Sequence, residues 1–315
     1  MSTASPTSAP AGAAQDLQPW EVARASLGYI RDIVRITRGD RHFLDALIFT
    51  VALDANMTPV TRDRSLLAAY GGAEVSTPDE LRRPVSINAV ATSLRLPLET
   101  VRRRFLNMSR DGLCMIGQQG VIIPRAAVTS AVYLAEQRAR FDRTRGFYQA
   151  MQAGGALPDR AAREASPATG EPLVRAANWA VSEYALRICG ELVALTGNVV
   201  SSIVLLDLVL ANIDQLPPSA LPDWGRDPER FGRPVRIGAL AGPLRVSGET
   251  IRRHLLTLET LGFCRRRSGG LVAVAPDSAR PQLMRIVETN RTNSARLFAR
   301  LGQLGVLDGW DAAIA

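Results

Sequence analysis

Two short runs of similar make-up hold the residues best suited to chemistry: Glu99-Thr100-Val101-Arg102-Arg103-Arg104 and Glu249-Thr250-Ile251-Arg252-Arg253-His254. A guanidinium is a planar fork of donors that pairs two-pronged with a phosphate, or with the O6 and N7 edge of guanine. Hydroxyls and amides beside it bond phosphates or other base edges. This is the chemistry of anion recognition, not of bond breaking. The sequence has no nucleophile–base set, no HExxH, no Walker loop and no GxGxxG, so it is read as a non-enzyme with no catalytic residues. Two His and three Cys are too few for a zinc cluster or a disulfide framework, so no metal and no cofactor are expected. His42 has no companion ligand nearby in the sequence. Cys114 and Cys264 hold equivalent positions at the start of a strand and Cys189 lies in an apolar helical run; all three read as small buried residues.

The two runs belong to a longer repeat. Arg83–Cys114 (RPVSINAVATSLRLPLETVRRRFLNMSRDGLC) lies on Arg233–Cys264 (RPVRIGALAGPLRVSGETIRRHLLTLETLGFC) at an offset of 150, without a gap and with 15 of 32 positions identical. That indicates a duplication. The match extends weakly in both directions: FLDALIFTVALDAN (43–56) resembles VVSSIVLLDLVLAN (199–212), and long helical patterns follow at about 126–153 and 277–304.

Periodicity supplies the elements that must position the Arg residues. Ile87, Val90, Ala91 and Leu94 make one face of a short helix, and Ile237, Leu240, Ala241 and Leu244 repeat it. After the breaks Arg95–Leu98 and Arg245–Gly248, a second helix buries Val101, Phe105 and Met108, or Ile251, Leu255 and Leu258. Ser247 is a good N-cap; Pro97 stands in its place in the first copy. Gly112 and Gly262 stop the helices. A hairpin follows each, Leu113–Ile116 with Val121–Ile123 and Phe263–Arg267 with Leu271–Val274, with glycine-bounded tips.

Helix, short turn, helix and hairpin together resemble the winged helix-turn-helix of bacterial transcription regulators such as the GntR, MarR, IclR and Crp-type groups. The residues carrying the resemblance are LPLETVRRRF–L–G–L and VSGETIRRHL–L–G–F, over about 42 residues twice. It implies a mainly α fold with small β-hairpin wings, in which two duplicated winged helix-turn-helix modules sit on a helical pseudo-dimer scaffold. The turn position after Leu94 and Leu244 is usually glycine in this motif; Arg95 and Arg245 require either another turn type or a strained backbone.

With Val101, Phe105 and Met108 inward, Thr100, Arg102, Arg103, Arg104, Asn107 and Arg110 lie largely off the buried face, mostly in the turns that enter a major groove in helix-turn-helix docking. The second set is Thr250, Arg252, Arg253, His254 and Thr257, with Arg245 and Ser247 at the turn, as Arg95 is in the first copy. Strand alternation makes Arg265 and Arg267 face one way and Arg266 the other; the first wing has only Gln118 and Gln119 at its tip, so unequal DNA contacts are expected. Glu99 and Glu249 favour the positive helix N-terminus.

Charge is concentrated in the same places. The chain has 38 basic residues, all Arg, against 30 acidic ones, a formal +8 and pI of about 10.3. Residues 83–125 hold seven Arg against Glu99 and Asp111, a net +5, and residues 233–276 hold eight against Glu249 and Glu259, a net +6. The remainder sums to −3. The absence of Lys fits a GC-rich codon bias. The partner read from this charge is double-stranded DNA, with phosphate neutralisation supplying much of the affinity.

Residues 1–16 read as a disordered tail without export-signal features, 17–153 as the first helical plus winged-helix unit (module 83–125), 154–172 as a linker, and 173–315 as the second unit (module 233–276). The apolar run 199–213 contains Asp207 and is short for a membrane span, so it reads as a buried helix. Apposition of the two helix sets would make an intrachain pseudo-dimer; a homodimer with four modules is the alternative. The expected location is cytoplasmic and nucleoid-associated, with no membrane partner, and no sequence feature marks a small-molecule effector pocket. Rival readings are a replication-initiator or chromosome-organising DNA-binding protein, and a winged-helix protein-interaction module without a DNA role.

Overall fold

The computed structural model describes residues 11–157 and 173–312, and these are mainly helical with two small antiparallel strand pairs. In the first half, α1 (Ala11–Arg38), α2 (Phe43–Arg62) and α3 (Arg64–Tyr70) precede α4 (Ile87–Leu94), α5 (Leu98–Arg110), β1 (Met115–Gly117), β2 (Gly120–Ile122), α6 (Arg125–Val128) and α7 (Ala131–Ala153). In the second half, α8 (Val174–Thr196), α9 (Val199–Ile213), α10 (Leu221–Arg226) and α11 (Pro228–Phe231) come first. They are followed by α12 (Ile237–Leu244), α13 (Gly248–Thr260), β3 (Cys264–Arg267), β4 (Gly270–Ala273), α14 (Arg280–Gln303) and α15 (Val306–Ala312).

Several boundaries differ from the sequence expectation for local physical reasons. Residues 1–10 and 158–172, the larger parts of the expected tail and linker, lie outside the described residues, and α1 already begins at Ala11. The segment 215–232, whose prolines and glycines read as a connecting loop in the sequence, contains α10 and α11. Each starts with proline in its first two positions, where the missing N–H costs no helical bond. The helical pattern from 126 onward divides into α6 and α7 because Ser130 caps a new start, accepting from Tyr133 N at 3.3 Å. The first strand begins at Met115 because Gly112 turns left-handed (φ 71°) and Leu113 N donates back to Met108 O at 2.8 Å, which keeps Leu113 in the helix exit.

The scaffold interleaves helices from both halves. Helix α1 lies against α7 and α14, and α8 lies against α14 and α7; α2 packs on α8, and α9 on α1. At the centre Tyr29 stacks on Phe147, with centroids 4.3 Å apart and planes 11° from parallel, and Phe147 also meets Tyr184 and Phe298. Their hydroxyls are satisfied inside: Tyr29 Oη lies 2.8 Å from Thr144 Oγ1, and Tyr184 Oη donates to Asn290 Oδ1 at 3.0 Å. Helix α9 is buried along most of its length, including Asp207, whose carboxylate meets Arg35 at 3.7 Å. Among the described helices Phe43–Arg62 is long and apolar enough to cross a bilayer by composition alone, yet 56% of that window is buried within the protein. The α8–α9 pair passes the same test only jointly and is bent by 99°.

Candidate nucleic-acid interface

Each wing is bolted to the scaffold by one buried asparagine on an apolar helix. Asn56 on α2 donates to Arg83 O (2.7 Å) and Val121 O (3.0 Å) and accepts from Ile123 N (2.8 Å). Asn212 on α9 does the same with Arg233 O (2.6 Å), Leu271 O (3.1 Å) and Ala273 N (2.7 Å). Every polar atom of both side chains is used, which is what burial demands. Val85 bridges Val121 and Val235 bridges Leu271, so each hairpin has a third, single-residue rung. Gly120 and Gly270 sit at that rung; a β-carbon there would fall 2.5 and 2.4 Å from the Val85 and Val235 carbonyl oxygens. Sequence reading gave these asparagines no role; the only hint is the Ala-Asn that closes both apolar runs.

The helix-turn-helix geometry follows the apolar faces. Val90, Ala91 and Leu94 of α4, Val101, Phe105 and Met108 of α5, and Ile251, Leu255 and Leu258 of α13 are buried. On α12 Leu240 is buried, while the side chains of Ala241 and Leu244 lie outside the described residues. Exposure along α5 and α13 is the same at every position. Arg95 and Arg245 adopt the left-handed conformation at φ 49° and 48°, the strained alternative to a different turn. Arg95 N donates to Thr92 O, and Leu96 N to Ala91 O at 3.0 Å, which seals the C-terminus of α4. Ser247 caps α13, accepting from Thr250 N at 3.1 Å, whereas Pro97 gives α5 no side-chain cap.

Helices α5 and α13 present their guanidiniums in pairs. Arg102 Nε bonds Glu99 at 2.9 Å and Arg252 Nη1 bonds Glu249 at 2.7 Å, so these carboxylates orient an Arg as well as sitting at a helix N-terminus. The Arg102 bond and charge hold the Glu99 carboxyl below its ordinary value. Arg103 and Arg253, one position on, are exposed, and their guanidiniums make no hydrogen bond or ion pair among the described residues. Asn107 is exposed, with Arg110 donating to it at 3.4 Å; Thr100 and Thr250 are half-buried, and Thr257 is exposed.

Arg104 and His254 differ from the sequence expectation. Both turn toward the scaffold. Arg104 is paired with Asp45 at 2.9 Å and its Nη2 lies 3.4 Å from His42 Nε2, while His254 Nδ1 sits 2.9 Å from Ser201 Oγ. Asp45 and Ser201 hold matching positions on α2 and α9, so an ion pair in one half stands where a neutral hydrogen bond stands in the other. Burial, with the Arg253 charge second, pushes the His254 pKa down, which suits the neutral bond.

On the second wing, Arg265 and Arg267 both reach Glu229 of α11, Arg265 at 2.6 Å, and Arg266 points the other way to Glu259 at 2.9 Å. That is the alternation read from the sequence. Arg245 is paired with the exposed Asp40. The first wing instead exposes Met115 and Ile116, next to Gln118 and Gln119. Burial pushes the three thiols up, Cys114 and Cys189 to about 11 and Cys264 to about 12, so none is a reactive thiolate at neutral pH. No group of three metal-ligating side chains occurs among the described residues.

Residues 232–277 match the DeoR-like helix-turn-helix domain, a span that covers the second module with one residue to spare at each end. Together with the geometry of α12, α13 and the β3–β4 wing, this makes the module a DNA-binding helix-turn-helix of the kind found in transcription regulators. No curated protein and no solved structure matches the chain.

Proposed function

We propose that the chain is a sequence-specific, double-stranded DNA-binding transcription regulator that reads two half-sites with two non-identical recognition helices, α5 and α13. The observation that carries it is the placement of Arg103 and Arg253: exposed, unpaired among the described residues and at the same position of two helices with the same exposure pattern. Arg102, Asn107, Thr100, Arg252 and Thr250 stand beside them, Arg95, Arg245 and Ser247 at the turns, and Arg265 and Arg267 on the wing. The pairing of Arg104 with Asp45 and of His254 with Ser201 argues against a DNA contact for either.

An internal duplication is supported by the gapless offset of 150, the paired left-handed arginines, the Asn56 and Asn212 clamps, and the Asp45–Arg104 and Ser201–His254 counterparts. In this reading the halves form an intrachain pseudo-dimer. The half-sites are related imperfectly, about one helical turn apart, and the protein works on the nucleoid in the cytoplasm.

The test is binding of the full chain to DNA sites selected from a random pool, measured across a salt series. Arg102→Ala/Arg103→Ala and Arg252→Ala/Arg253→Ala should each weaken binding by about 10-fold or more and lower the salt slope by roughly 1 to 2. Unchanged affinity and slope in both would overturn the assignment. The exposed Leu98, Met115 and Ile116 favour one narrower reading, in which the first module meets a protein surface; an effect confined to the second pair of substitutions would select it. Recovery of clustered origin repeats in place of promoters would mark a replication initiator.

A further inference from the structure

The two halves differ at one place inside the scaffold. In the first half, α2 and α7 close on each other around Phe49 and Tyr133, whose rings lie 5.9 Å apart. Arg41 sits over Phe49 at 5.6 Å and Arg140 over Tyr133 at 5.5 Å. The space left there, against Trp179 of α8, is about 20 Å³, room for little more than a water molecule.

The matching place in the second half is open. With α9 following α2 at an offset of 156 and α14 following α7 at 150, as Thr144 beside Tyr29 and Ser294 beside Tyr184 indicate, Phe49 becomes Leu205, Tyr133 becomes Leu283, Gln137 becomes Val287 and Arg140 becomes Asn290. Each change removes a ring, a guanidinium or an amide. The result is a cavity of about 210 Å³ bounded by α1, α8, α9, α10, the start of α14 and the base of the second wing. Trp20, one helical turn before Arg24 on α1, adds a ring to this wall. Its ring lies directly on Gly225, where a β-carbon would come within 2.3 Å of it, and edge-on to Trp224 at 6.3 Å. The remaining wall is aliphatic, apart from Phe263, Asn290 and two guanidiniums, Arg24 and Arg280, and it includes no carboxylate. Apolar cavities of on the order of 150 Å³ stay dry and take up benzene-sized guests.

We infer that this cavity is a binding site for a small, largely apolar carboxylate, such as a medium-length acyl or aryl acid. The aliphatic wall takes the body. The anionic head meets Arg24, whose Nη1 now rests on Leu216 O (2.8 Å), or Arg280, held by Asp277 (3.2 Å). The plugged counterpart in the first half makes it one site per chain.

Uptake is read directly, independently of DNA binding, by titrating the full chain with bromine-tagged decanoate and following tryptophan quenching. The expected result is saturable quenching that survives Trp179→Phe but is lost in Trp20→Phe/Trp224→Phe. Leu205→Phe/Leu283→Tyr, which copies the first half's plug, should weaken binding at least 10-fold while keeping the circular dichroism spectrum. Bromine-tagged decanol should bind at least 5-fold more weakly. Absence of saturable quenching, or quenching retained in the Trp20/Trp224 variant, would overturn the site; equal binding of the alcohol would overturn the anionic head. Should the plugging variant not fold, the tryptophan variants decide alone.

Discussion

Arg95 and Arg245 hold the left-handed conformation in which a β-carbon crowds the following carbonyl, at a cost of about 1–2 kcal/mol each. Glycine would relieve that crowding and give back part of the gain as unfolded-chain entropy. Arg95→Gly should therefore stabilise the protein by roughly 0.5–1 kcal/mol, seen as a rise of about 2 °C in Tm by thermal melting. A lower Tm would mean that the Arg side chain contributes more than its backbone costs. The strain was legible from the sequence, because the helix-turn-helix pattern puts Arg where glycine usually stands. The inward turn of Arg104 and His254 was not. Helical periodicity says only that they leave the buried face of their own helix; their partners, Asp45 and Ser201, lie 59 and 53 residues away. Asn56 and Asn212 were hidden for the same reason, since the groups they bond converge only after the wing has folded back.

At the scale of elements, the hairpin wing was readable because period-two alternation fixes which side chains share a face. Its counterion was not, because Glu229 sits in α11, within a proline-rich stretch that reads as loop until the prolines are recognised as helix starts. Glu229 pairs with both guanidiniums, Arg265 and Arg267, that the wing would offer to a phosphate track, and offsets one of their two charges. Glu229→Gln should free them. The salt slope of DNA binding is expected to steepen by about 1 to 2, with tighter binding at low salt. An unchanged slope would show that the second wing stays off the backbone.

Across the whole molecule the halves meet along seams that bury charge. Asp54 of α2 faces Glu183 of α8, and burial first, with the Glu183 charge second, raises the Asp54 carboxyl from 3.8 to about 6. The folded state then binds the proton more tightly than the unfolded chain does. The contribution of this carboxyl to stability is full below about pH 4 and is lost as pH rises through about 6. Asp54→Asn should add about 2 kcal/mol at pH 7.5 and nothing near pH 4, measured by melts at both values. A gain of equal size at both would exclude ionisation as the cause. The apposition of the two halves was foreseeable from helices too apolar to stand alone; its interleaving, α1 on α14 and α8 on α7, was not.

That interleaving has a consequence for dosage. A reader assembled from two separate chains falls apart on dilution, so its active form grows with the square of chain concentration when the chain is scarce. In the proposed intrachain pseudo-dimer the partner surfaces are joined by one backbone, so its assembly would be first order in chain number.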